Sequence, residues 1–450
     1  MVSVVRVSKF RHVFGEELQE KFEDLRPSTL SSESTLIKSN GTNIVFPWES
    51  GGAGVLAVFA MSEIGRIAPS HPFIKGHAGN ILDYEFNPFN DFQLLSCGDD
   101  STLKLWDIPE GGLTSDLTIP RVTLHGHGKK VTLLNFHPSA AFLCASASFD
   151  KSIKVWNIEN GSPALEISNI NDVILSLQWS PIGRSIGYTT RDKYVRVSDP
   201  RTGRNVFETL AHDGSKPSKM GWIAEDTIVT CGFSKMNDRQ VSVWDLRNHS
   251  APIKLVNVDQ GSGVLYPFYD PDTKILFVAG KGDGNIRYYE VVGDNQYMYY
   301  IEAFRSNVPC RGVSFIPKRK VNTDSCEIMK AVKLTNNTID LVSFKVPRRS
   351  ETFQDDIYPD CVCGEPSMST TEWLGGADRE PKRAPIKQIE NSSAHAELHI
   401  QATPQMHAQQ GHKSVNEYEK ELNEARALIK RQQQRIAELE AQLESKTKLE

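Results

Sequence analysis

The chain has 450 residues, of which 39% are hydrophobic and 24% charged, and a net charge of −5. This is ordinary composition for a soluble protein; a nucleic-acid binder would carry a basic face, and no run of about eighteen apolar residues offers a membrane span. The seven cysteines are scattered and odd in number, which predicts free thiols in a reducing, cytoplasmic compartment and no disulfide framework.

Residues 4–14 alternate and are rich in Val and Phe, and predict a first strand. Arg6, Lys9 and Arg11 interrupt it too often for the apolar core of a signal peptide. FEDLR follows at residues 22–26, then a Ser/Thr-rich stretch over 28–39. Segments 44–48 and 55–60 read as strands around a glycine turn, a degenerate repeat near residues 36–66.

Two clear repeats come next, at 76–107 and 126–157, separated by the loop insertion 108–120. His77 matches His127, Ser96 matches Ser146, Asp100 matches Asp150 and Trp106 matches Trp156, every pair offset by 50 residues. A fixed offset across a unit marks a repeat architecture. A weaker copy over 169–199 keeps Trp179 and Asp192 but has Ser198 in the Trp position. A fourth copy runs from His212 to Trp244, a fifth ends with Asp283 and Tyr289, and a sixth spans about 304–346.

With the degenerate first unit the repeats number seven, each with room for four short strands. Such a unit cannot bury both sheet faces alone, whereas radial stacking can. The predicted fold is an all-β, seven-bladed WD-repeat β-propeller over 1–346. The leftover N-terminal strand, residues 6–14, is expected to pair into the last blade and close the ring, which removes exposed edges.

His, Ser and Asp together raise the possibility of acyl-transfer catalysis. A catalytic set would occur once; His77, Ser96, Asp100 and Trp106 recur as His127, Ser146, Asp150 and Trp156. The repetition points to a buried hydrogen-bond network in each blade, and no enzyme is expected. Cys361 and Cys363 lack a second pair nearby, and His395 and His399 lack the adjacent Glu of a zinc-protease helix. The glycine turns do not open helices that could cradle phosphate. No metal and no cofactor are therefore expected. The short basic runs, residues 318–320 and 348–349, read as solvated loops.

Beyond residue 346 the pattern changes. Phe353, Ile357, Tyr358 and Trp373 predict an extension over 347–377 packed on the propeller. Residues 378–412 are polar and read as a flexible linker. Over 413–450, Val415, Tyr418, Leu422, Ala425, Ile429, Gln432, Ile436, Leu439, Leu443 and Lys446 fall at alternating spacings of three and four. That is the seam of a coiled coil. The pairs Glu421 with Arg426 and Arg435 with Glu440 favour a parallel, in-register bundle, while the seam residues leave the number of helices open.

Residues 8–15 (SKFRHVFG), 22–26 (FEDLR), 108–113 (IPEGGL), 267–290 and 346–360 resemble the coronins, in order and over nearly the full length. The likeness is to a short coronin with one propeller and a C-terminal coil. It implies a regulator of the actin cytoskeleton at the actin-rich cell cortex, active in motility and phagocytosis. The implied partners are filamentous actin, the actin-branching nucleator complex and cofilin-type severing proteins. Arg26 occupies the basic position of the FEDLR-type motif that the family associates with actin binding. Arg435, Ile436, Leu439 and Glu440 match the family's trimer signature, so the resemblance implies a homotrimer. The alternative is a general WD-repeat scaffold for a non-actin complex, which would require neither FEDLR, nor the tail motif, nor the coil.

Overall fold

Short alternating segments, too brief to fold alone, pair into seven antiparallel blades in the computed structural model of this chain. The structure describes residues 7–51, 54–294, 296–349 and 352–390. Blade 1 runs through Lys38–Ser39, Asn43–Trp48, Val55–Ala60 and Phe73–Lys75, and blade 2 through Ile81–Asn87, Asn90–Gly98, Leu103–Asp107 and Val122–Leu124. Blades 3, 4, 5 and 6 begin at Val131–Phe136, Ile174–Trp179, Lys219–Ala224 and Leu265–Asp270. Blade 7 contains Gly312–Phe315, Glu327–Leu334 and Ile339–Lys345.

The first strand of each blade lines a central channel of about 660 Å³. Side chains on these strands bond to the next blade: Asp83 accepts from the Leu134 N–H at 3.0 Å, Asn135 from Trp179 at 2.9 Å, and Ser176 from Met220 at 3.2 Å. The apolar core lies between neighbouring blades, where Trp106, Trp156 and Phe277 are fully buried.

The ring closes through an N-terminal strand, but that strand is Phe14–Glu23, antiparallel to Ile339–Lys345 as the fourth strand of blade 7. The closing strand expected over 6–14 is therefore corrected: residues 7–13 form bends and turns, and residues 1–6 lie outside the described set. The outermost strand of a blade buries only one face, so its sequence, FGEELQEKFE, is mostly polar and shows little apolar pattern. Gly15 permits it to dock, because a Cβ there would meet Phe304 and Phe344 at 2.9 Å. Gly65–Arg66 adds to the end of this strand in parallel and ties blade 7 to blade 1.

Strand alternation places two sets of loops on one face, here called upper: those joining second to third strands, and those crossing from one blade to the next. The extension lies across the lower face. Tyr358 donates to the Glu327 carbonyl at 2.9 Å in blade 7, and Met368 pairs with Ala140 in blade 3. Trp373 fills a site between His137, Trp179 and the Gly183 carbonyl, which accepts from its indole N–H at 2.9 Å. The Arg201 guanidinium covers that ring at 4.3 Å. The chain then returns, and Arg383–Ala384 pairs with Cys361–Val362. Residues 378–390, expected as linker, thus fold on this face: Arg383 bonds Asp272, Lys387 bonds Thr323 at 2.7 Å, and Ile386 is buried. Their polarity reflects ion pairing with the propeller. Residues 391–412, and the whole heptad segment with Val415, Tyr418, Leu422, Ala425, Ile429, Arg435, Ile436, Leu439, Glu440 and Leu443, lie outside the described residues.

Candidate functional site

In blade 2, His77 Nδ1 lies 2.9 Å from Asp100 Oδ2, and its Nε2 lies 2.8 Å from Ser96 Oγ. The same hydroxyl accepts from the Trp106 indole N–H at 2.8 Å. Blade 3 repeats this: His127 lies 2.9 Å from Asp150 and 2.7 Å from Ser146, and Trp156 donates to Ser146 at 2.8 Å. Each network ties an upper-face crossing to the turn between the second and third strands. The residue after each Asp takes a left-handed conformation, with φ of 64° at Ser101 and 65° at Lys151.

Burial alone would raise the Asp100 carboxyl; its bonds from His77, Thr102 and Ala78 outweigh this and hold it far below the usual carboxylate range. The same balance of burial against Ser152, His127 and Gly128 places Asp150 at about 2. Burial lowers His127, against the pull of Asp150. The serine hydroxyls are enclosed, with both Ser96 and Ser146 fully buried, so neither faces a substrate.

The weaker blades keep parts of this arrangement. In blade 5 a threonine replaces the serine: Thr230 lies 3.0 Å from His212 and accepts from Trp244 at 2.9 Å. In blades 4 and 6 arginine replaces histidine as partner of the turn aspartate. Arg196 holds Asp192 at 2.8 Å, and Arg239 of blade 5 reaches Asp283 of blade 6 at 2.7 Å. The basic run at 318–320, read as solvated, is paired: Lys318 bonds Asp270, while Arg319 and Lys320 meet Asp91 at 2.7 and 3.3 Å.

FEDLR occupies the crossing from blade 7 to blade 1. Phe22 and Leu25 are buried and anchor it. Asp24 takes a φ of 63°, which ends the strand and turns the chain outward. Arg66 lies 4.0 Å from Glu23 and 3.3 Å from Asp24, compensating both acids. Arg26 is exposed, and among the described residues its side chain has no hydrogen-bond or ion-pair partner. Its backbone is fixed: the Arg26 carbonyl accepts from Glu49 N–H at 2.7 Å, and Ser28 N–H donates to Pro47 at 2.8 Å.

The loop beyond Arg26 runs inward over the channel mouth. Arg311 of blade 7 donates to the carbonyls of Pro27 and Ser28. At the inner end, Lys219 of blade 5 donates to the Glu33 carboxylate at 2.7 Å and its carbonyl at 2.8 Å. Tyr266 of blade 6 donates to the Ser34 carbonyl at 3.3 Å. Lys219 is 2% exposed, and this burial lowers its pKa against the pull of Glu33. Arg311, Lys219 and Tyr266 do not stand out in the sequence. Each belongs to an ordinary strand or loop pattern, and no local signal marks its distant partner.

The fold and these networks define a seven-bladed WD-repeat propeller. Residues 69–107 and 119–157 match the WD domain, G-beta repeat; residues 339–381 match a type of WD40 repeat, and residues 3–66 match a domain of unknown function (DUF1899). The crystal structure of the WD40 domain from Toxoplasma gondii coronin superposes with a TM-score of 0.80 at 35% identity, covering 83% of this chain and 97% of that one. Coronin-A of Dictyostelium discoideum is 43% identical over 450 residues, 99% of this chain and 98% of that protein. Coronin-2A of Homo sapiens is 40% identical over 386 residues, 84% of this chain and 73% of that protein. The chain belongs to the coronin family.

Proposed function

We propose that this coronin is an actin-filament-binding adaptor of the cytoskeleton, and that Arg26 supplies a charge to the contact. The observation that carries the reading is the state of Arg26: an exposed cation on a loop held by neighbouring blades, with no acid of the described residues engaging it. A fixed, uncompensated charge favours a complementary acidic surface and costs little ordering when it binds. Family membership supplies actin as the partner. The heptads over 413–450 would join several propellers on one stalk, with a trimer favoured, so that weak single contacts reinforce each other. Such an oligomer would bind or bundle filaments and bring the branching nucleator complex and cofilin-type severing proteins to them. The function is one of binding and assembly, with no catalytic step. Pelleting of the full chain with actin filaments at low salt tests this; a chain that stays in the supernatant contradicts it.

A further inference from the structure

The loop that presents Arg26 also presents a phosphate acceptor. Thr29 is exposed; its N–H donates to Glu49 Oε2 at 2.9 Å, and its hydroxyl lies 3.4 Å from the same oxygen. Residues 26–30 read Arg-Pro-Ser-Thr-Leu. Arginine thus stands three residues before Thr29, and Leu30, 37% exposed, directly after it. Protein kinases whose substrate cleft carries carboxylates select this spacing, because an arginine three residues before the acceptor reaches those carboxylates. Residues 28–33 form no regular secondary structure, and beyond the held carbonyls of Pro27 and Ser28 the Thr29 and Leu30 side chains stay exposed to a kinase at the surface. Ser28 is a poorer acceptor: its hydroxyl already accepts from the Leu30 N–H at 3.2 Å, and it stands only two residues after Arg26.

We propose that Thr29 is a phosphorylation site for an arginine-directed protein kinase, and that its modification switches off the contact made by Arg26. The inference rests on the actin-binding reading of Arg26. In the transfer, a bond forms between Thr29 Oγ1 and the γ-phosphorus of ATP. The bond from that phosphorus to the bridging oxygen breaks, ADP leaves, and the hydroxyl proton passes to the base of the kinase. The product places close to two negative charges beside Glu49, where a weak attraction stood before. Repulsion from Glu49 turns the phosphate toward the neighbouring cations, Arg26 of the same loop and Arg311 of blade 7. A charge-assisted pair with phosphate engages the guanidinium of Arg26 and reverses the local charge that an acidic partner would meet.

The full chain, incubated with Mg-ATP and the catalytic subunit of a cyclic-AMP-dependent kinase, is mapped by mass spectrometry and pelleted with actin filaments beside Thr29→Ala treated identically. The expected result is phosphate on Thr29 and filament affinity lowered about tenfold, the scale of losing one interfacial charge pair. The Thr29→Ala chain keeps the untreated affinity, although Ser242, Ser250, Ser314 and Thr352 also follow an arginine by three residues. Absence of phosphate at Thr29 overturns the inference. So does phosphorylated Thr29 with unchanged affinity where Arg26→Asp loses it. If Arg26→Asp also keeps full affinity, the reading of Arg26 fails first and the switch falls with it.

Discussion

Arg311 donates to the carbonyl of Ser28 at 2.7 Å and, through its other terminal nitrogen, to that of Pro27 at 3.0 Å. Arg311 stands where the chain enters blade 7, and Ser28 where it crosses into blade 1. One guanidinium thus holds the seam at which the ring closes, directly beside Arg26. Replacing it with methionine keeps the aliphatic stem but releases two carbonyls. Arg311→Met is expected to weaken filament binding severalfold and to speed amide exchange over residues 28–34, with a small change in melting temperature. Unchanged exchange in that loop contradicts this assignment.

Truncation before Lys413 is expected to leave the propeller folded and to lower filament avidity by about 10²-fold or more, as loss of multivalency does. Filament pelleting with a parallel measurement of molecular mass checks both parts. Equal affinity of the truncated and full-length proteins would remove the stalk from the mechanism.

Ser146 links two groups: its hydroxyl accepts from the Trp156 indole N–H and donates to His127 Nε2, whose Nδ1–H faces the Asp150 carboxylate. Ser146→Ala leaves the indole donor and the imidazole acceptor without their partner inside a closed blade. Burying an unsatisfied polar group costs about 1–3 kcal/mol, to be read from urea unfolding. A loss below the scatter of surface substitutions would show that the network does not hold the blade.

His137 is fully buried, with Nε2 3.0 Å from the Gly183 carbonyl and Nδ1 accepting from Ala140 N–H at 2.8 Å. Gly183 has a φ of 77°, and a Cβ there would stand 2.0 Å from the imidazole. Burial, aided by Arg201, pushes His137 from 6.5 down to about 3. The unfolded chain therefore takes up a proton between these values that the native chain refuses, and stability falls as pH falls through that window. At pH 5 the loss from this group is about 2 kcal/mol. His137→Gln should flatten the fall in unfolding free energy between pH 7 and 5 by about that amount; parallel profiles would exclude His137 as its source.

The frame was legible because its residues recur at a fixed offset: Asp100 with Asp150 and Trp106 with Trp156 set the register from which degenerate blades could be counted. The closing strand was misplaced by its own polarity, since only Leu18 and Phe22 of its inner face carry a clear apolar signal. Asp192 and Asp283 stood out in the sequence, but their partners did not, because arginine had replaced histidine and, for Asp283, came from a neighbouring blade. The clamp on the Arg26 loop left no trace for a more general reason. Lys219 and Arg311 lie 186 and 283 residues from the carbonyls they hold, and only the closed ring brings them together. Arg26 itself was reached through family resemblance; what the structure adds is its exposure and the rigidity of its backbone.

The most direct test is pelleting of Arg26→Asp with actin filaments across a salt series, beside a thermal melt of the same protein. Filament affinity is expected to fall about tenfold or more at low salt while the melting temperature stays that of the unaltered chain, because an exposed side chain that none of the described residues pairs carries little stability. Unchanged filament binding at an unchanged melting temperature would contradict it.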